Sequence, residues 1–271
     1  MLARRVVSAA VLAPLVILTV AVGGWWYVGL VAVASVLAAR EFYLMLRHSA
    51  YSPLWPFGVA LSLAFILDAA APLLPLATHP GQIAYPALGA AIALSLAYLV
   101  SRQQVERSFA DWAVTWAPPL YIGFLAAFLV ALRLLPSGER WVFMVLAVTW
   151  STDIGAYLVG SSLGRHPFFA RVSPRKTWEG AIGGLMAGAL AGGGVAWAFG
   201  WDTGQLLALS ILASVAAEAG DLAESCIKRQ LRTKDTSRLI PGHGGVLDRM
   251  DSLLFAGTLI YFWALVAGGS P

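Results

Sequence analysis

The chain has 271 residues, of which 59% are hydrophobic and only 12% charged, with a mean hydropathy of +0.75. A soluble globular domain carries about 25% charged residues, so half that load, spread over long apolar runs, excludes an ordinary soluble fold and points to a polytopic membrane protein. The net charge of +4 does not argue for a nucleic-acid partner, because the basic residues fall in loops between apolar runs, and the single cysteine, Cys226, excludes an internal disulfide.

Nine runs approach the roughly 20 apolar residues that a helix needs to cross a bilayer: 6–22, 25–46, 53–76, 84–101, 112–134, 141–160, 179–200, 205–227 and 250–268. They are long and continuous rather than short and alternating, which predicts an all-α bundle rather than a barrel. The first run follows Arg4 and Arg5 and competes with a signal-peptide reading. Its length from Val6 to Val22, with no clear small-x-small cleavage site before Trp25, favours an uncleaved span. The second contains Arg40 and Glu41, read as a buried pair near the cytoplasmic end. The third contains Asp68, for which the sequence offers no partner.

Assigning alternate loops to one side puts 15 of the 18 Lys and Arg residues, Arg102 among them, on the side of the N-terminus. Only Arg133 and Arg140 fall opposite, while Arg40 lies inside the second run. That bias predicts a cytoplasmic N-terminus and, with nine spans, a C-terminus outside. One continuous membrane domain is expected. Residues 1–140 hold spans one to five and carry no recognisable motif. Residues 141–271 hold spans six to nine, with cytoplasmic loops at 161–178 and 228–249 where polar chemistry should concentrate.

The sixth run contains Asp153, either a functional group, the default for an intramembrane acid, or a hydrogen-bonding partner for a neighbouring helix. In the seventh, Gly180, Gly184, Gly188 and Gly192 recur every four residues. They form one bare helical face, suited to close approach by another helix. The eighth ends SVAAEAGDLAESCIKRQ, where Glu218, Asp221, Glu224 and Lys228 stack on one face. An ionised carboxylate at the middle of a membrane helix costs roughly 2.5–3.5 kcal/mol on insertion scales, so these acids require a cavity, a cation or basic partners. A buried salt-bridge network is the plain alternative, and Glu218, deepest in the span, has the strongest case for a purely structural role. Asp248 and Asp251 open the ninth run on a shared face at the same depth. Helix-dipole complementation would account for one of them. Clustered oxygen ligands suit Mg²⁺, with waters and substrate phosphates completing its shell.

Two basic loops complete the pattern. Ser173-Pro174-Arg175-Lys176-Thr177 leads into the seventh run, with Glu179 in its first turn. Topology signalling alone would explain the charge, but a helix N-terminus flanked by Arg and Lys is also an anion site. Lys228, Arg229, Lys234 and Arg238 stand beside Pro241-Gly242-His243-Gly244-Gly245. Such a glycine turn brings backbone N–H groups close to phosphate oxygens. His243 has three readings there: a donor to phosphate, a proton shuttle or a helix-entry cap. Acids that hold a divalent cation beside bases that hold phosphate suit phosphoryl or nucleotidyl transfer between a lipid and a soluble anion.

The stretch SCIKRQLRTKDTSRLIPGHGGVLDRMD, residues 225–251, resembles the signature of the phosphatidate cytidylyltransferases, or CDP-diacylglycerol synthases. The specified positions are all met: Ser225, Lys228, Arg229, Lys234, Asp235, Ser237, Ile240, Pro241, His243, Gly244, Gly245, Val246, Asp248, Arg249, Met250 and Asp251. SPRKTWEG and the segment around Asp153 also resemble family segments. The resemblance implies Mg²⁺-dependent transfer of CMP from CTP to phosphatidate, giving CDP-diacylglycerol and pyrophosphate. For this reaction we expect Asp221, Asp248, Lys228 and His243 to serve catalysis, and Asp221 and Asp248 to hold the metal with Glu224 and Asp251 as further ligands or orienting groups. Ser173, Arg175, Lys176, Lys228, Arg229, Lys234, Asp235, Gly244, Gly245 and Arg249 are the expected substrate contacts. A second, monovalent cation is left open. Family members work in bacterial inner membranes or the endoplasmic reticulum and can form homodimers. For this chain the bacterial inner membrane, with the site on its cytoplasmic face, is expected.

A CTP-dependent lipid kinase would use the same substrates but move the γ-phosphate. An ion-coupled transporter would also use membrane acids, yet these polar groups gather at one face and no matching broken helices occur. A non-catalytic lipid-binding scaffold leaves the acids unexplained.

Overall fold

The computed structural model describes residues 2–47, 49, 51–75, 79, 81–101 and 105–266, with side chains from residue 8 onward except at 105. Arg102, the side chains of Arg4 and Arg5, and residues 267–268 of the ninth run lie outside the described residues. Among the described residues ten α-helices follow in order: α1 (Leu2–Val22), α2 (Gly24–Leu46), α3 (Trp55–Ala69), α4 (Ala84–Ser101), α5 (Val105–Pro118), α6 (Leu125–Leu134), α7 (Gly138–Leu163), α8 (Trp178–Ala198), α9 (Thr203–Gln230) and α10 (Leu247–Val266). A π-helical stretch, Pro119–Phe124, joins α5 and α6 into one rod. Among the described residues there is no strand, only isolated bridges. Among the described residues seven helical segments are long and apolar enough to cross a membrane; Ser8–Val22 of α1 and Trp55–Ala69 are apolar but shorter. The chain is an all-α, polytopic integral membrane protein.

The third run stops early for a local reason. Asp68 turns its carboxylate onto the backbone N–H groups of Gly81, Ile83 and Ala84, at 2.8–3.0 Å. These are orphan donors at the start of α4, and an acid there also complements the helix dipole. Asp68, partnerless in the sequence, is the cap of the next helix. Pro72 then cannot continue an α-helix, and the chain makes one 3₁₀ turn over Ala71–Leu73 instead.

The chain forms two compact units. The first comprises Met1–Leu134 with Asp235–Leu247, and the second Leu135–Lys234 with Asp248–Pro271. In the first, Gly58 faces the Tyr43 hydroxyl and Gly123 faces Ser62, at contacts a Cβ would block. Pro119 has no N–H, so the Thr115 carbonyl one turn earlier loses its helical partner. The buried Tyr43 hydroxyl donates to that carbonyl at 2.6 Å, which stabilises the π-helical widening. Arg133 on α6 donates to the carbonyls of Val20 (2.8 Å) and Ala21 (3.4 Å). A cation on these last carbonyls of α1 complements its dipole, so Arg133 has a structural role.

In the second unit α7 and α8 pack most extensively, with α9 against α8. The glycine face of α8 does what its spacing predicts. A Cβ at Gly180 would sit 2.9 Å from the Ala156 carbonyl, and one at Gly184 2.9 Å from that of Thr152. Gly188 lies against the Thr152 and Ser214 hydroxyls, which are themselves bonded at 2.9 Å. Gly192 lies against Ser210. Gly200, with a φ of 70°, ends α8 in the left-handed conformation. Gly200 N–H donates to Trp197 and Trp201 N–H to Ala196, a Schellman closure. Asp202 then caps α9 by accepting from Gly204 and Gln205 N–H. Arg140 places its guanidinium 5.1 Å from the Phe199 ring centre, a cation–π contact. Both arginines on the minority side of the charge count therefore have local partners.

Candidate active site

The second unit gathers the acids of α9 and the first turn of α10. Steps of three and four residues place Asp221, Glu224 and Lys228 on one face of α9. Lys228 Nζ lies 2.6 Å from Glu224 Oε2 and 2.6 Å from Asp248 Oδ1. One buried ammonium thus bridges two buried carboxylates on different helices. Removing one partner of such a group leaves an uncompensated charge, a loss of about 3–5 kcal/mol. Asp251, also buried, lies beside Glu224. The two helices cross where Gly220 permits it, since a Cβ there would be 2.5 Å from the Asp251 carbonyl.

Asp221 is half-buried. Its Oδ2 pairs with Lys176 Nζ at 2.8 Å and its Oδ1 accepts from Ser225 at 3.2 Å. Lys176 reaches it because the loop after α7 folds back as a closed turn. Phe168 N–H donates to the Lys176 carbonyl (2.8 Å), and Trp178 N–H to that of His166 (2.9 Å). The Phe168 and Trp178 rings meet edge to face. Thr177 caps α8 by accepting from Gly180 N–H at 3.2 Å. Glu179 accepts from the N–H groups of Arg165 and His166 and pairs with the His166 ring at 2.5 Å. Arg229 Nε donates to the Val172 carbonyl at 3.0 Å, tying the end of α9 to this loop. Ser173 is partly buried, whereas Arg175, Lys234 and Arg249 are exposed. Asp153 is exposed too, and the charges of Asp221, Arg249 and Lys176 act on it. It belongs electrostatically to this group.

Among the described residues no three His, Cys, Asp or Glu side chains converge as a ready-made metal cage. Mg²⁺ does not require one, because it is usually held by one or two carboxylates together with waters and substrate phosphates. The donors are of the right type: hard carboxylate oxygens. Among the described residues, buried Glu224 Oε1 and Glu218 Oε1 have no hydrogen-bond donor. The residue set fits Mg²⁺.

The first unit holds the remainder of the signature, Asp235–Leu247. Pro241 and Gly242 form the corner of a tight turn. His243 N–H donates to the Ile240 carbonyl at 3.0 Å, and Gly242 has a φ of 81°. Proline followed by a positive-φ glycine is the type II pattern. Ile240 N–H then donates to the Gly244 carbonyl at 2.9 Å. His243 Nδ1 lies 2.7 Å from the Ser8 hydroxyl of α1. Asp235 is exposed and Gly245 buried.

One reading of α2 needs correction. Arg40 and Glu41 are not a buried pair: Arg40 is exposed, and buried Glu41 accepts from Thr236, Ser237, Val246 and Leu247. Neighbours on a helix point in different directions, so adjacency was a poor guide. Glu41 and Ser8 are the site-associated residues that sequence reasoning missed. The available signal was an unexplained acid in an apolar run, which does not name its partner.

The sequence profile of the family described as "Cytidylyltransferase family" matches residues 3–266. A Brucella suis protein named phosphatidate cytidylyltransferase is 36% identical, with 98% of this chain and 94% of that protein covered. A Synechocystis protein of the same name is 31% identical over 97% of this chain and 96% of its own length. The Arabidopsis thaliana protein named phosphatidate cytidylyltransferase 5, chloroplastic, is 31% identical over 91% of this chain and 67% of its own. With its signature residues placed as above, the chain belongs to the cytidylyltransferase family and is a nucleotidyltransferase.

Proposed function

We propose that the protein transfers CMP from CTP to phosphatidate, giving CDP-diacylglycerol and pyrophosphate, in an Mg²⁺-dependent reaction. The observation that carries this reading is the Lys228 bridge. Lys228 and Asp248 stand 20 residues apart and meet at 2.6 Å, so the basic and acidic ends of the signature share one place. Relatives named phosphatidate cytidylyltransferase support the lipid acceptor.

A phosphatidate phosphate oxygen attacks the α-phosphorus of CTP in line, the bond from that phosphorus to the bridging oxygen breaks, and pyrophosphate leaves. The attacking oxygen is already anionic, so no strong general base is required. Charge neutralisation and positioning supply the catalysis. Asp221 and Asp248 would hold Mg²⁺, with Glu224 and Asp251 as further ligands or orienting groups. The ion would supply charge neutralisation at the phosphates. Lys228, Lys176, Arg175, Arg229 and Lys234 are the cations for the triphosphate and lipid phosphate. His243 with the Gly244–Gly245 backbone receives the leaving pyrophosphate. The charge bias of the loops supports a cytoplasmic N-terminus, an outside C-terminus and a site on the cytoplasmic face of a bacterial inner membrane.

The test uses purified protein in detergent–phosphatidate micelles with CTP labelled separately at the α and γ positions. Transfer of the α label into lipid, release of the γ label in pyrophosphate, and loss of both on chelation are expected. Appearance of the γ label in lipid would make the protein a kinase. No transfer by well-folded protein would overturn the reading.

A further inference from the structure

Glu41 stands in the apolar α2, far in sequence from the signature, and is only 4% exposed. Its carboxylate accepts four hydrogen bonds, all from Thr236 to Leu247. Oε1 accepts from the Ser237 hydroxyl (2.6 Å) and Val246 N–H (3.0 Å). Oε2 accepts from the Thr236 hydroxyl (3.0 Å) and Leu247 N–H (2.9 Å). The hydroxyls come from one end of the segment and the amides from the other, where α10 begins and its N–H groups have no helical acceptor. One carboxylate clasps both ends of the loop.

Between those ends lie the Pro241–Gly242 turn, His243, Gly244 and Gly245. A Cβ on Gly245 would overlap Thr236 Oγ1 and Glu41 Oε2, so the backbone is drawn tight against the clasp at that position. Ser8 makes a second, weaker tie by donating to the Pro241 carbonyl (3.1 Å) and lying 2.7 Å from His243 Nδ1. Asp248 is the next residue in the chain after the clasped Leu247.

We propose that Glu41 is a positioning residue for nucleotide binding: it holds the loop of Thr236–Leu247 in a preformed shape so that His243, Gly244 and Gly245 meet the β- and γ-phosphates of CTP. This rests on the nucleotidyl-transfer reading given above. The chemistry demands a carboxylate. Each oxygen accepts one backbone N–H and one hydroxyl. Glutamine keeps the shape, but its NH₂ group must face a backbone N–H whichever way the amide is turned, so either Val246 or Leu247 loses its acceptor.

The experiment is Glu41→Gln in the full chain, purified in detergent, with two readouts. Hydrogen–deuterium exchange should accelerate in peptides covering 236–247 and stay unchanged in α7 to α9. KM for CTP should rise about tenfold, the scale of losing a charge-assisted hydrogen bond, with a fall in kcat and an unchanged KM for phosphatidate. A merely structural Glu41 would lower Vmax in step with the folded fraction and leave both KM values alone, and that result overturns the proposal. Unaltered exchange over 236–247 overturns it as well. If Glu41→Gln does not insert, Thr236→Val removes one donor while sparing both amides; it should raise KM for CTP about threefold in the same selective way, and an unchanged KM would count against the clasp. Exchange requires no turnover. It therefore decides the anchoring even if the wild-type protein transferred no cytidylyl group, an outcome that would overturn the CTP role alone.

Discussion

Glu41 and Asp68 of the first compact unit are satisfied differently from Asp221, Glu224 and Asp248 of the second. In the first, Glu41 and Asp68 accept only from backbone amides and hydroxyls, donors that the fold holds in place. In the second, Asp221, Glu224 and Asp248 are paired with Lys176 and Lys228, cations on long flexible stems. An acid bonded to fixed amides is part of the scaffold, because nothing can replace those donors without unfolding a helix end. An acid paired with a lysine can exchange that lysine for a metal ion or release it to a phosphate. Lys228 is a compact point charge with rotatable donors, and the buried Glu224 Oε1 next to it has no donor among the described residues. On the reading proposed above the exchangeable acids serve the chemistry, whereas the fixed ones hold the backbone segments that they cap or clasp.

Substitutions on the two sides test this distinction. Asp248→Asn and Asp221→Asn should each lower kcat by about 10³-fold or more, the scale of losing preorganised charge stabilisation, while the protein stays folded in the membrane. The labelled-CTP assay reads this, and full activity in either variant would remove that residue from the metal set. Lys228→Met leaves Glu224 and Asp248 buried without their shared cation. A stability loss of about 3–5 kcal/mol is expected, seen as a lower midpoint of thermal unfolding in detergent together with lost turnover. A variant as stable as wild type would mean that the two acids shed their charge without consequence.

Gly188→Ala tests packing without charge. The added methyl meets the Thr152 and Ser214 hydroxyls, and overpacking of this kind costs about 1–3 kcal/mol. Thermal stability should fall while KM for CTP stays unchanged; a shifted KM would tie the glycine face to the substrate site. The smallest effect is expected at Asp68→Ala. Loss of the α4 cap should cost about 1 kcal/mol, a lowering of a few degrees in the unfolding midpoint with kcat preserved. A large fall in kcat there would break the division between fixed and exchangeable acids.

The helices were legible because a bilayer leaves few choices. A long apolar run must satisfy its own backbone, so run length announces a helix. The four-residue glycine spacing of α8 was legible for the same reason, as a repeat that only a helix turns into a face. The acidic face of α9 followed from steps of three and four residues. The Arg40–Glu41 reading failed because it asked a local pattern for a long-range answer: Glu41 bonds residues about 200 positions away. Asp68 failed in a milder way, since its partners lie just beyond a proline-broken turn.

The sequence by itself determined which segments are helical, which acids and bases share a helical face, and which family the signature resembles. All three follow from periodicity and residue chemistry read over at most a few turns. Only the tertiary structure decided that Lys176 lies on Asp221, that Lys228 links α9 to α10, and that Glu41 clasps both ends of the loop carrying His243. Those pairings depend on how separate helices dock, and docking is set by packing summed over whole faces rather than by any local pattern.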